Sequence, residues 1–160
     1  MTISAGDSIP DATLTKPGEN GPEGVTTEDL FKGKKVVMFG LPGAFTPTCS
    51  ASHLPGFINN IDALKAKGVD NVYCISVNDA FVMGAWGKDQ GAGGKVTMIA
   101  DGDAAFAKAA GLEFDLTGKG MGLRMQRFAL VANDGKVEFI VIDEPGTFEK
   151  TAAEAVLETL

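Results

Sequence analysis

A chain of 160 residues, 44% hydrophobic and 22% charged, is long enough to bury about two-thirds of its unfolded surface in one domain, so residues 1–160 read as a single globular unit. Fourteen basic against 21 acidic residues leave a net charge of −7, which speaks against nucleic acid or an anionic membrane as partner, and no apolar run approaches the ~20 residues of a membrane span. With two cysteines and one histidine, none at finger spacing, a structural zinc site is not expected, and the start Met1–Asp7 lacks the pattern of a secretory signal, so a cytoplasmic protein with reduced thiols is expected.

Residues 1–33 carry Pro10, Pro17, Pro22 and four glycines between Gly6 and Gly24, which predicts a surface loop or short hairpin with a helical turn at Thr27–Phe31. The run Lys34–Leu41, stopped by Pro42-Gly43, predicts a buried strand. Leu54, Phe57, Ile58, Ile61 and Leu64 then recur at helical spacing, with Pro55 predicting a kink and Gly68 suiting the position past the helix end. Val72–Val77 reads as a second strand, and Asn78-Asp79 as the cap of a helix running to about Gln90. Val96–Ala100 reads as a third strand, and Asp103 as the cap of a short alanine-rich helix closed by Gly111. A glycine-rich loop through Gly118, Gly120 and Gly122 leads to a strand at Arg127–Val131. Asn133-Asp134-Gly135 turns that strand back into Val137–Ile142, and a helix from about Phe148 ends the chain. This order predicts an α/β fold with a mixed central sheet flanked by helices, the element order of a thioredoxin-like fold with an N-terminal extension.

Cys49 lies between the first core strand and the first helix, in Pro42-Gly43-Ala44-Phe45-Thr46-Pro47-Thr48-Cys49. A helix start presents unpaired N–H groups and a positive dipole end, both of which favour thiolate, the nucleophilic form of cysteine. The competing reading is a small buried hydrophobe. Pro42 and Pro47 pin the turn, and Thr46 can place a hydroxyl near the sulfur. Among fourteen basic residues only Arg124 and Arg127 are arginines. On one strand they would face opposite sides, so at most one is expected to reach the Cys49 turn, and each has a surface salt bridge as its plain alternative.

Pro42-x-x-x-Thr46-x-x-Cys49 matches the active-site pattern of the peroxiredoxins. The longer string through Ser50 and His53-Leu54-Pro55-Gly56-Phe57, with Ser76–Val82, Trp86-Gly87 and Arg127-Phe128, resembles the peroxiredoxin 5, or type II, subfamily along nearly the whole chain. The resemblance implies a thiol peroxidase that reduces hydrogen peroxide and organic hydroperoxides without metal, flavin or haem. It makes Cys49 the attacking thiolate, Thr46 a ligand of the peroxide and Arg127 the holder of thiolate and developing oxygen charge, with Pro42, Gly43 and Thr48 shaping the site. It also implies a homodimer, built around the loops bearing Phe45 and the Phe81–Trp86 region.

His53, one helical turn after Cys49, could act as a base, but a packing role that fixes the loop is the expected reading. Cys74, in mid-strand, is expected in the core, though a second redox thiol is the alternative. Many type II relatives that resolve internally carry a cysteine after the final hairpin. Here that stretch is Asp143-Glu144-Pro145-Gly146-Thr147-Phe148, with none, so an external thiol is expected as reductant: glutathione with glutaredoxin first, thioredoxin second. Two other readings stay open at this point. Cys49-Ser50-Ala51-Ser52 resembles a Cys-x-x-Cys motif reduced to one thiol, as in a monothiol thioredoxin or glutaredoxin, though no proline precedes the hairpin. A redox-inactive binding protein on the same fold is the other.

Overall fold

The structure, a computed structural model, describes all residues 1–160. Alternating side chains on the strand at Lys35–Gly40 (β3) explain the layering: Val37 and Phe39 enter one apolar cluster and Val36 and Met38 the other. A strand with both faces buried must sit inside the sheet. It pairs in parallel with Asn71–Ser76 (β4), which pairs in parallel with Thr97–Ala100 (β5), and antiparallel with Phe128–Asn133 (β8). Lys136–Ile142 (β9) closes one edge, joined to β8 through Asp134 and Gly135, whose positive φ values of 49° and 78° are those of a tight hairpin turn.

The N-terminal segment is a hairpin, Thr13–Gly18 (β1) and Gly21–Thr26 (β2), and it extends the sheet by pairing Thr15 with Ala100. The order is β2-β1-β5-β4-β3-β8-β9, the mixed sheet that the element order predicts. One face buries the helices Leu54–Asn59 (α2), Ile61–Ala66 (α3), Ala80–Gln90 (α4) and Ala153–Leu157 (α6) around Phe39, Phe57, Cys74 and Trp86. Thr27–Phe31 (α1) and Ala105–Ala110 (α5) cover the other face around Phe31, Tyr73, Phe106 and Phe128. No helix is long and apolar enough to cross a membrane.

Four local expectations are corrected. The helix after Cys49 breaks at Asn60, whose side chain donates to the Gly56 carbonyl at 2.7 Å, so α2 and α3 are separate. Asp101, not Asp103, holds the start of α5, its carboxylate accepting from the N–H groups of Phe106 and Ala107. The segment before Arg127 contains a two-stranded ribbon, Glu113–Leu116 (β6) with Gly122–Met125 (β7), rather than loop alone. The last helix starts at Ala153 instead of Phe148, because the Asp143 carboxylate takes the N–H groups of Glu149, Lys150 and Thr151.

Candidate active site

Where β3 ends, Leu41 leads into the turn that carries Thr46 and Cys49. Helical backbone begins at Pro47, a position where a missing N–H costs nothing, and the Ser50 N–H closes the first turn on the Thr46 carbonyl at 3.0 Å. Cys49–His53 form a widened π-type turn, with the Leu54 N–H donating to the Cys49 carbonyl. Pro55 explains the widening, since its ring has no N–H to give and collides with the carbonyl four residues back in a regular helix. Trp86 in α4 anchors this turn from below, its indole N–H donating to Ser50 Oγ at 3.0 Å.

Arg127 stands over the sulfur. Its Nη2 donates to Cys49 Sγ at 3.3 Å and its Nη1 donates to His53 Nδ1 at 2.8 Å, while the guanidinium carbon lies 5.7 Å from the Phe148 ring centre, within cation–π range. Because arginine keeps its protons, His53 Nδ1 must be the bare nitrogen, which leaves Nε2–H to donate to the Thr151 carbonyl at 3.1 Å. His53 is fully buried among Phe39, Phe57 and Phe148. Burial, and then the Arg127 charge, push its pKa down to about 3. Both ring nitrogens are thus engaged, and His53 fixes Arg127 instead of serving as a base.

A histidine held neutral in the fold but titrating near 6.5 in the unfolded chain makes stability fall as pH drops from 6.5 toward about 3. Between pH 7 and 5 this amounts to about 2 kcal/mol. Asp143 adds to the loss at lower pH: burial raises its carboxyl, but bonds from Glu149, Thr151 and Lys150 outweigh that and hold it below the ordinary range. Asp101, raised by burial, acts in the opposite sense. Urea midpoints at pH 7 and 5 should differ accordingly. Nuclear magnetic resonance of the lone imidazole offers a direct check, because a ring titrating near 6.5 would rule the argument out.

Both arginines reach the Cys49 loop, which corrects the expectation that at most one could. They do not share a strand: β7 ends at Met125, β8 begins at Phe128, and Arg127 lies in the step between, where strand alternation does not apply. Arg124 Nε donates to the Met121 carbonyl at 2.9 Å and Nη1 to the Pro42 carbonyl at 3.2 Å. Neither arginine pairs with a carboxylate, the ion pairs of the chain being Lys16–Glu23 and Lys32–Glu28.

The remaining candidates divide clearly. Thr46 lies beside the turn, its hydroxyl donating to the Gly43 carbonyl at 2.7 Å, so its lone pairs remain free to accept. Pro42 and Thr48 line, with Phe114, Gln126, Arg127 and Thr147, an open cleft over the arginine, whereas Cys49 is 1% exposed and is not part of its wall. Cys74 sits in β4 beside Phe39 of β3, wholly buried; burial, reinforced by the proximity of a second thiol at Cys49, pushes its own thiol well up. Phe45 has a left-handed backbone, φ 62°, and is 54% exposed; Phe81 is 71% exposed, but Trp86 is in the core. Sequence reasoning misses Asn78 and Thr151 as site residues, because their partners Ala44 and His53 lie 34 and 98 positions away, and it misses Asp143 because a carboxylate that takes backbone N–H groups six to eight residues on leaves no motif.

The profile of the family described as Redoxin matches residues 4–157. Peroxiredoxin-2C of Oryza sativa subsp. japonica is 49% identical over 159 residues, spanning 99% of this chain and 98% of that protein. Reduced Prx3 from Vibrio vulnificus in complex with hydrogen peroxide has a similar structure, with a TM-score of 0.95, 49% identity and coverage of 99% of both chains. Peroxiredoxin 5 from Alvinella pompejana aligns with a TM-score of 0.87 at 32% identity, covering 98% of this chain and 97% of its own.

Proposed function

Since the chain belongs to the peroxiredoxins, thiol peroxidases within the Redoxin family, we propose that Cys49 is its peroxidatic cysteine and that an external thiol returns it to the reduced state. The observation that carries this reading is the 3.3 Å bond from Arg127 Nη2 to Cys49 Sγ at the first turn of a helix, which puts a permanently charged donor directly on the sulfur.

In the proposed reaction the Cys49 thiolate attacks the terminal oxygen of a hydroperoxide in line with the O–O bond. An S–O bond forms as the O–O bond breaks, the sulfur is oxidised to sulfenic acid, and the departing oxygen takes a proton to leave as water or an alcohol. Arg127 stabilises charge moving from sulfur to oxygen, and Thr46 accepts a hydrogen bond from the peroxide, its own proton being given to Gly43. An incoming thiol then condenses with the sulfenic acid, releasing water and leaving a mixed disulfide. A second thiol attacks that disulfide and restores Cys49. Glutathione with glutaredoxin is the preferred reductant and thioredoxin the second choice. The protein is read as a cytoplasmic homodimer joined around the loops that bear Phe45 and the Phe81–Trp86 region.

Steady-state hydrogen peroxide reduction with glutathione, glutaredoxin and thioredoxin supplied separately tests the reductant. The Cys74→Ser variant should keep at least half the turnover with the effective reductant, because a fully buried strand thiol held protonated takes no part. If it loses turnover with every external thiol, an internal disulfide replaces the one-cysteine scheme.

A further inference from the structure

The loop that presents Thr46 is short and contains no regular structure, yet the proposed reaction requires its hydroxyl to meet the peroxide within hydrogen-bond reach. Three successive residues of that loop are tied down. The Pro42 carbonyl accepts from Arg124 Nη1, the Gly43 carbonyl accepts from Thr46 Oγ1, and the Ala44 N–H donates to Asn78 Oδ1 at 3.0 Å. Asn78 Oδ1 is itself steadied by the Ser76 hydroxyl at 2.7 Å. On the Arg124 side the approach depends on glycine. A Cβ on Gly43 would lie 2.5 Å from Arg124 Nη1 and 3.4 Å from Thr46 Cγ2, so residue 43 has room for no side chain while the guanidinium is in place.

We propose that Arg124 is a positioning residue of the peroxidase reaction: its planar fork, anchored on Met121, clamps the Pro42–Gly43 backbone and thereby sets where Thr46 meets the peroxide. A permanently charged group with five N–H donors, half-buried and paired with carbonyls instead of a carboxylate, suits this task better than a lysine, whose single ammonium cannot span both carbonyls in a fixed plane. The two arginines thus divide the work: Arg127 acts on the sulfur, and Arg124 acts on the loop that receives the peroxide. This assignment rests on the reading of Thr46 as peroxide ligand.

The test compares two reactions of Cys49 in the full chain, reduction of hydrogen peroxide and alkylation by iodoacetamide, the second of which does not use Thr46. Arg124→Ala should slow peroxide reduction by about ten- to a hundredfold, the loss expected for a misplacement of about an ångström, and leave the rate and pH midpoint of alkylation unchanged. Arg124→Lys should recover part of the loss. Gly43→Ala should reproduce the loss by displacing the guanidinium, and combining it with Arg124→Ala should cost no more than Arg124→Ala alone. An unchanged peroxide rate in Arg124→Ala, a parallel fall in both reactions, full recovery by lysine, or multiplying effects in the double variant would each overturn the clamp. Should Arg124→Ala not fold, the split between the two reactions in Gly43→Ala decides alone. Peroxide reduction persisting in Cys49→Ser sinks the underlying reading, whereas its loss there without loss in Arg124→Ala sinks only the clamp.

Discussion

Cys49→Ser should abolish thiol-dependent reduction of hydrogen peroxide, lowering turnover by at least about 10⁴-fold, since a serine hydroxyl in the same place is neither ionised near neutral pH nor able to pass through a sulfenic acid. The fold should survive. Cys49 is a buried side chain of the cluster built around Phe39, Phe57 and Trp86, and the replacement is smaller by only the difference between sulfur and oxygen. Matched thermal unfolding of the two proteins, with the peroxide assay, separates loss of chemistry from loss of structure. A companion count of free thiols is equally decisive: one equivalent of peroxide should consume one thiol per chain in the parent protein and none in Cys49→Ser. Appreciable turnover by the serine variant would remove Cys49 from its assigned role.

Arg127→Ala should slow peroxide reduction by roughly 10² to 10³, about 3–4 kcal/mol of lost stabilisation for a donor aimed at developing charge. It should also move the pH midpoint of Cys49 alkylation upward, because Nη2 is the charged donor on the sulfur. Arg127→Lys should fall between the two. An ammonium on a flexible stem can approach Sγ, but it cannot hold the 3.3 Å bond to sulfur and the 2.8 Å bond to His53 Nδ1 together as one rigid group. The variant also leaves Nδ1 of a fully buried imidazole without its donor, so some loss of stability accompanies the loss of rate. An unchanged alkylation profile in Arg127→Ala would show that another source supplies the field at the sulfur.

His53 and Arg127 form one unit that extends beyond the sulfur. His53 Nε2–H donates to the Thr151 carbonyl, and the Thr151 backbone N–H and hydroxyl both donate to Asp143 at 3.2 and 2.7 Å. The guanidinium on Cys49 is therefore braced by the segment that follows the final hairpin. In this chain that segment supports the site through its backbone and a carboxylate.

Elements whose signals are local follow from the order of residues alone. The apolar run Lys34–Leu41, the Asn133-Asp134-Gly135 turn, and the Asp79 cap on α4 each depend on neighbours a few residues apart, and all are present where the pattern places them. The family was legible for a similar reason: Pro42, Thr46 and Cys49 are close in the chain, so their spacing survives as a motif. Where local signals competed, the reading slipped. Asp103 and Asp101 are equivalent as caps on paper, and only the left-handed turn at Ala104, φ 58°, puts the Asp101 carboxylate on the α5 amides. The residues that brace the site were beyond reach, because Arg124 meets Pro42 across 82 positions, His53 meets Thr151 across 98, and Asn78 meets Ala44 across 34. Sequence period says which face of a strand a residue occupies, but Arg127 lies off any strand and Arg124 folds back over Gly43. Tertiary packing alone decided that, in a chain of net charge −7, one arginine bonds to the Cys49 sulfur and the other to the Pro42 carbonyl of the same turn. The scarcity of cysteine, histidine and arginine names the candidates for the chemistry, and what each of them touches is decided by distances across the fold that no composition or spacing encodes.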